Sequence, residues 1–115
     1  MSTVIYHNPH CSKSRQTLEI LQKQDINPEI IEYLKTPPTE AELSTLLELL
    51  GIPAREIVRS GEEEYKQLGL DDPNMTDTQI IQALVSTPKL IERPIVVRNG
   101  QAVIGRPPKK VLDLL

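Results

Sequence analysis

The first 34 residues alternate between two hydrophobic periodicities, which limits the possible folds more than any other feature. Thr3-Val-Ile-Tyr6 is a β-branched and aromatic run that predicts a buried strand. After the break at Asn8-Pro9, residues 12–24 place apolar side chains among polar ones as in an amphipathic helix. Residues 29–34 (EIIEYL) predict a second strand. A strand, a helix and a strand at this spacing predict a βαβ unit with parallel strands and a right-handed crossover.

The middle of the chain carries helix signals. Thr39 with Glu42 and Thr76 with Gln79 are two capping-box patterns, each typical of a helix start. Gly51 is placed to end the first of these helices in the left-handed conformation. The expected helices run over about 39–50, 54–59, 62–68 and 76–85. The segment from about 39 to 86 is therefore predicted to be a helical insertion.

The last part of the chain predicts a hairpin and a helix. Residues 94–97 and 101–105 are two β runs, and Asn99-Gly100 between them is a strong two-residue hairpin signal. Pro107-Pro108 then opens a final helix. The full order is β-α-β, a helical insertion and β-β-α, which is the thioredoxin-like (glutaredoxin-like) order. We expect one α/β domain over residues 1–115 with a mixed sheet.

Composition and charge exclude several classes of protein. The chain has 115 residues, a formal net charge of −3 and only 3% aromatic residues, so we expect an aliphatic core and no nucleic-acid partner. A single cysteine excludes an internal disulfide and a multi-cysteine metal site, and fits a reducing compartment. We find no signal-peptide pattern and no apolar run long enough to cross a bilayer. The expectation is a cytoplasmic, monomeric protein without a metal or a membrane partner.

That single cysteine, Cys11, lies in the stretch YHNPHCSKSR at the predicted start of the first helix. Helix N-termini favour the thiolate over the thiol, and the thiolate is the nucleophile. The alternative is a buried, inert cysteine, but the polar neighbours His10 and Lys13 favour a reactive one. His7 either adds positive charge to the site or is a hydrogen-bonded histidine at a strand end. Because position 14 is serine, a redox cycle at Cys11 needs an external thiol.

Three arginines stand at breaks in the predicted elements. Arg59 precedes Ser60-Gly61, Arg93 precedes a proline, and Arg106 precedes Pro107. The planar guanidinium donates paired hydrogen bonds and is suited to tetrahedral oxyanions. A cis peptide at Arg93-Pro94 would form a rigid wall of the site. The alternative for each arginine is an ordinary surface charge.

The motifs IYHNPHCSKSRQTLEIL, ERPIVV and IGRPPKKVLDLL together resemble the ArsC-type arsenate reductases of the glutaredoxin-dependent branch, above all the short, YfgD-like members. The resemblance covers essentially the whole chain and implies a thioredoxin-like fold with a helical insertion. It places the nucleophile on Cys11 and the histidine that promotes its thiolate on His7. The residues that it assigns to the oxyanion are Ser14, Arg15, Arg59, Arg93 and Arg106. The family has Gly-Thr after the cysteine where this chain has Ser12-Lys13.

The resemblance also implies a reaction. Arsenate would be reduced to arsenite through a thiol-arsenate adduct on Cys11, which glutathione and glutaredoxin resolve. Glutathione would act as an external co-substrate, with no bound cofactor and no metal. Two alternatives remain open: a glutathione-dependent thiol oxidoreductase that does not use arsenate, and a regulatory binding module like the Spx proteins, which bind RNA polymerase.

Overall fold

The computed structural model describes residues 2–115. Within these residues it has four strands, four α-helices and three 3-10 helices. The strands and α-helices in chain order are β1 (Thr3–His7), α1 (Ser12–Lys23), β2 (Glu29–Glu32), α2 (Glu40–Leu50), α3 (Glu63–Gln67), α4 (Asp77–Ser86), β3 (Ile95–Arg98) and β4 (Gln101–Ile104). The 3-10 helices are Ala54–Ile57, Pro88–Leu90 and Pro108–Leu114.

The chain divides into two compact units. The sheet unit comprises the chain up to Thr36 together with Arg93–Leu115, and the helical unit comprises Pro37–Glu92. The helical insertion predicted over about 39–86 falls inside the helical unit. The single-domain boundary of 1–115 stays a prediction.

The sheet unit has the predicted mixed sheet. Its strand order is β2-β1-β3-β4, with β1 parallel to β2 and β3 antiparallel to both β1 and β4. The hairpin turn uses Asn99 and Gly100, both at positive φ (55° and 73°), as the Asn-Gly signal predicts. The α/β, thioredoxin-like prediction is confirmed.

The strand register determines which strand ends lie next to one another. His7, the last residue of β1, is paired with Glu32 at the end of β2. On the other side of β1, Tyr6 pairs with Ile95 at the start of β3, and Ile95 pairs with Ile104 at the end of β4. The segments after β1 and β4 and before β3 therefore lie at one end of the sheet, which we call the His7 end.

The core of the sheet unit is aliphatic, as the composition predicts. Ile5, Leu21, Val96 and Val111 are fully buried and form one cluster. They come from β1, α1, β3 and the last 3-10 helix, so α1 is held between the sheet and the C-terminal segment. This packing anchors α1, which Cys11 immediately precedes, against the sheet.

The helices α2 and α4 of the helical unit begin where the capping motifs predict. Both capping boxes are present, with Thr39 accepting from the backbone N–H of Glu42 and Thr76 from that of Gln79. Gly51 ends α2 at φ 69°. The guanidinium of Arg55 donates to the backbone carbonyls of Leu70, Asp72 and Met75, and so fixes the loop before α4.

Three predicted elements differ from the structure. The helix expected over about 54–59 is the 3-10 helix Ala54–Ile57. The second strand ends at Glu32 and not at residue 34, because the backbone N–H groups of Lys35 and Thr36 both donate to the Glu32 carbonyl at 2.9 Å and form a turn. The final helix, Pro108–Leu114, is a 3-10 helix.

Gly105 is packed too closely to tolerate a side chain. A Cβ there would lie 2.6 Å from Thr17 Oγ1 on α1 and 2.9 Å from Pro94 Cγ. We expect Gly105→Ala to lower the free energy of unfolding by about 1–3 kcal/mol, as in overpacked cores. Urea unfolding measures this, with Gly61→Ala as the control, since a Cβ at Gly61 meets nothing within 4 Å. Equal midpoints for the two variants would contradict the close packing.

Candidate active site

Cys11 occupies the N-cap position of α1. Its backbone N–H donates to the carbonyl of Asn8 at 3.0 Å, and its carbonyl accepts the first helical bond from Arg15 N–H at 3.0 Å. Its side chain makes no capping hydrogen bond, and the residue is partly exposed. Cys11 therefore stands at the N-terminal end of a helix of 12 residues, with its sulfur not used for capping.

A buried hydrogen-bond pair lies one turn further along α1. Ser14 is fully buried, and its Oγ is 2.6 Å from Nδ1 of His7, which is itself buried. Ser14 Oγ also accepts from the backbone N–H of Asn8 at 3.1 Å. The loop before Cys11 is thus fastened to the helix that follows it. Because its hydroxyl oxygen is engaged on both sides, Ser14 is better placed to position Cys11 than to contact an oxyanion; direct contact stays a prediction.

The charge of His7 follows from its surroundings. Burial lowers the pKa of His7 and Arg15 lowers it further, while the carboxylate of Glu32 acts in the opposite direction. The imidazole is therefore neutral at pH 7 and adds no positive charge for a thiolate. Of the two roles that the sequence leaves open, this favours the hydrogen-bonded histidine at a strand end. The histidine remains in the predicted site through its contact with Ser14.

Arg15 and His10 hold or flank the same loop. The guanidinium of Arg15 donates from Nη1 to the carbonyl of Pro9 at 2.9 Å, so Arg15 braces the segment before Cys11. His10 is exposed, and its backbone N–H donates to Asn8 Oδ1 at 3.0 Å. A direct contact of Arg15 with an oxyanion stays a prediction.

Arg93 and Arg106 lie side by side at the His7 end of the sheet. Arg106 Nη1 donates to the backbone carbonyl of Arg93 at 3.2 Å, and Gly105 N–H donates to the carbonyl of Pro94 at 2.9 Å. Both arginines precede a proline through a cis peptide bond. The structure therefore brings these two predicted oxyanion ligands together at the sheet end from which the Cys11 loop departs.

Arg59 belongs to the helical unit. Its guanidinium pairs with Glu62 Oε1 at 3.3 Å and with Glu92 Oε1 at 3.7 Å, and its backbone N–H donates to the Leu90 carbonyl at 2.8 Å. The side chain is three-quarters buried. Two carboxylates thus hold this arginine, and its role towards Cys11 stays a prediction from the resemblance.

Two residues that support the site were not predicted from the sequence. Thr17 is a buried threonine whose hydroxyl donates to the Lys13 carbonyl at 2.9 Å and contacts the Gly105 carbonyl at 3.5 Å. Gly105 and Thr17 thereby join α1 to the segment that carries Arg106. The available signal was the spacing of Ser14, Thr17 and Leu21, which places all three on one buried face of α1.

Removal of the Ser14 hydroxyl is expected to destabilise the fold. Ser14→Ala leaves the buried His7 Nδ1 and the Asn8 N–H without this partner, which costs about 1–3 kcal/mol. Chemical denaturation measures the loss. Ser12→Ala is the matched control because Ser12 is exposed in the same helical turn. If both variants unfold at the same denaturant concentration, the hydrogen-bond pair does not hold the loop.

The state of His7 predicts a pH dependence of stability. Because its pKa is lower in the folded chain than in the unfolded chain, the unfolded chain takes up the proton first as the pH falls. This contribution to stability is fully present above about pH 6.5, the ordinary histidine pKa, and is lost as the pH falls below it. Urea unfolding at several pH values should show that His7→Asn weakens the loss and His10→Asn does not. The same slope in all three proteins would contradict a buried, neutral His7.

The described residues contain neither a membrane-spanning helix nor a cluster of metal-binding side chains. Among residues 2–115, no helix is both long and apolar enough to cross a membrane. In the same part of the chain, no three His, Cys, Asp or Glu side chains lie together as a metal site requires.

Comparison with known proteins decides the family. A sequence model of the ArsC family matches residues 6–114. The chain belongs to the ArsC family. This confirms the resemblance in the motifs around Cys11, Arg93 and Arg106.

Relatives of this ArsC-family chain match over nearly their full lengths. Escherichia coli YfgD is 52% identical over 112 residues, which cover 96% of this chain and 94% of YfgD. A protein of Neisseria meningitidis serogroup A named arsenate reductase is 44% identical over 112 residues, which cover 96% of each chain. Among solved structures, the arsenate reductase from Vibrio cholerae superposes with a TM-score of 0.97 at 52% identity, over 100% of this chain and 98% of that one.

Proposed function

We propose that this ArsC-family chain reduces arsenate to arsenite, with Cys11 as the nucleophile and glutathione and glutaredoxin as the source of electrons. The observation that carries the proposal is the position of Cys11 at the N-cap of α1, with no capping bond on its sulfur and with Ser14 and His7 beneath its loop. The names of relatives at 44% identity favour arsenate as the oxyanion.

Arginines supply the charge that binds the oxyanion. Arg93 and Arg106 meet at the His7 end of the sheet, where Cys11 follows β1. Their guanidinium groups would neutralise arsenate and the charge that develops on its oxygens during attack. The family resemblance adds Arg59 to this set.

In the first step the Cys11 thiolate attacks arsenic(V). A sulfur–arsenic bond forms, one arsenic–oxygen bond breaks, and the oxygen leaves as water after taking up two protons. The oxidation state of arsenic does not change. Neutralisation of the oxyanion by arginine makes this attack by an anionic nucleophile possible.

In the second step glutathione reduces the adduct. Its sulfur forms a bond to the Cys11 sulfur, the sulfur–arsenic bond breaks, and its electron pair stays on arsenic, which leaves as arsenite. Arsenic gains two electrons, and the two sulfurs lose one each. Glutaredoxin then exchanges with the mixed disulfide and restores the Cys11 thiol.

Ser14 positions the loop that carries Cys11 in this scheme. A hydroxyl has one proton and two lone pairs, and Asn8 N–H already donates to one lone pair. When neutral His7 carries its proton on Nδ1, it donates to the second lone pair. His7 thus acts through Ser14 as a positioning residue, without charge of its own.

A coupled assay tests the proposal. NADPH oxidation is followed with arsenate, glutathione, glutaredoxin and glutathione reductase, and arsenate-dependent turnover is expected. Turnover with a glutathionylated protein but none with arsenate would replace the proposal with thiol oxidoreductase activity. Recovery of RNA polymerase by the chain, without turnover in either assay, would favour the regulatory module.

The cytoplasmic location and the monomeric state belong to the same proposal. Size-exclusion chromatography with light scattering tests the monomeric state.

A further inference from the structure

A cavity of about 210 Å³ opens beside the loop that leads to Cys11. Its walls come from the segment 7–10, from Glu32 at the end of β2, and from Leu34 and Lys35, which follow that strand. Asn8, in this wall, accepts the backbone N–H of Cys11 at 3.0 Å, so the cavity adjoins the nucleophile's own loop. Apart from His7 and Asn8, the residues that line it have no role in the proposed chemistry so far.

The rim of the cavity carries one charge of each sign. Lys35 Nζ lies 3.6 Å from Glu32 Oε1, with 78% and 40% of the two side chains exposed. The turn that ends β2 holds both residues on this rim, because Lys35 N–H donates to the Glu32 carbonyl at 2.9 Å. An exposed, long ion pair of this kind contributes little to stability, so both groups can exchange partners at little cost.

We propose that this cavity binds the γ-glutamyl end of glutathione. That end carries an α-carboxylate and an α-ammonium on one carbon, which match Lys35 and Glu32 respectively. Leu34 and Pro9 would cover its methylene groups. Small-molecule pockets commonly measure about 300–1,000 Å³, so a cavity of 210 Å³ holds one arm of the tripeptide, and its cysteine extends along the loop towards Cys11. The inference rests on the proposed function, because it gives the binding place of the thiol donor.

The sheet order separates this cavity from the arginines. With the order β2-β1-β3-β4, the cavity lies at the ends of β1 and β2, whereas Arg93 and Arg106 flank β3 and β4. Cys11 follows β1, between the two sides. The Glu32 carboxylate also makes the cavity unsuited to an oxyanion. Arsenate and the thiol donor would therefore reach Cys11 from different sides.

Shortened thiols test which arm of glutathione the cavity recognises. Arsenite formation is measured with glutathione, with γ-glutamylcysteine, which lacks the glycine, and with cysteinylglycine, which lacks the γ-glutamyl group. Since Lys35→Glu places two carboxylates on the rim, we expect it to lower kcat/KM for both γ-glutamyl thiols by about tenfold. It should leave kcat/KM for cysteinylglycine and KM for arsenate unchanged. Comparing each variant with the wild type for the same thiol removes differences in intrinsic thiol reactivity.

Lys23→Glu is the matched control. Lys23 forms the same kind of exposed pair, with Glu19 at 3.1 Å, and it does not line the cavity. It should not distinguish the three thiols. Lys35→Ala is a second variant, which removes the charge without reversing it, and it should have a smaller effect in the same direction.

Two outcomes separate the inference from the proposed function. If the wild type forms arsenite but Lys35→Glu affects all three thiols equally or none, the cavity does not bind the γ-glutamyl group. If the wild type forms no arsenite with any thiol, the proposed function itself is wrong. Selective loss with the γ-glutamyl thiols alone supports the inference.

Discussion

Replacement of Cys11 by serine is expected to lower arsenate-dependent kcat/KM by at least about a thousandfold, as for other lost nucleophiles. A serine hydroxyl is not ionised near neutral pH, and no second cysteine exists in the sequence to replace the thiol. Any residual turnover would come only from binding and from reaction in solution. The coupled assay measures the loss, and arsenite determination confirms it.

The same variant should fold normally, which makes the loss interpretable. Cys11 is partly exposed and its side chain makes no capping bond, and serine is a favoured N-cap residue. We therefore expect a thermal midpoint no lower than that of the wild type. Wild-type turnover in a folded Cys11→Ser protein would mean that another group carries the reaction.

Arg106→Ala is the second large expected effect. Because Arg106 supplies a charge-assisted hydrogen bond to the oxyanion in the proposed scheme, its loss should cost about 1.5–3 kcal/mol, or roughly 10- to 150-fold in kcat/KM for arsenate. Arg106→Lys should recover little, because lysine keeps the charge but lacks the planar fork. Steady-state kinetics over a range of arsenate concentrations separates the effect on KM from the effect on kcat.

Arg98→Ala is the control for Arg106. Arg98 lies on the same hairpin, but it stands at the opposite end of the sheet and donates to Thr3 Oγ1. Its loss should lower stability without changing KM for arsenate. If the two variants lose activity in proportion to their stability alone, Arg106 has no direct part in binding.

Local sequence signals predicted most of the fold. The two capping boxes, the Asn99-Gly100 turn and the Gly51 helix end each depend on residues within a few positions of one another, so the sequence states them directly. The end of β2 was misplaced by two residues because Leu34 continues the apolar pattern, whereas the turn at Glu32 is formed by backbone hydrogen bonds that the side-chain pattern does not encode.

The sequence predicted which residues belong to the candidate site better than it predicted what each of them does. Cys11 at a helix start is a local feature, but the full burial of Ser14, a polar residue, is set by packing between α1 and the rest of the sheet unit. Burial of His7 lowers its pKa and, of the two roles that the sequence left open, favours the hydrogen-bond partner. The support of α1 by Gly105 joins residues 88 positions apart, which no local pattern reveals.

The contacts of individual arginines were also not predictable from the sequence. Arg55 and Arg59 stand four positions apart, and in the local sequence only the break at Ser60-Gly61 distinguishes Arg59. Only the structure shows that Arg55 is engaged by three backbone carbonyls, while Arg59 is paired with two carboxylates.

The central claim is that arsenate is reduced through a covalent bond to Cys11. Anaerobic single turnovers of the wild type with glutathione and without glutaredoxin, acid-quenched and analysed by peptide mass spectrometry, test it most directly. We expect one glutathione on Cys11 for each arsenite released, and only when arsenate is present. Arsenite release without glutathione on Cys11, or the same glutathionylation of Cys11 without arsenate, would contradict the account.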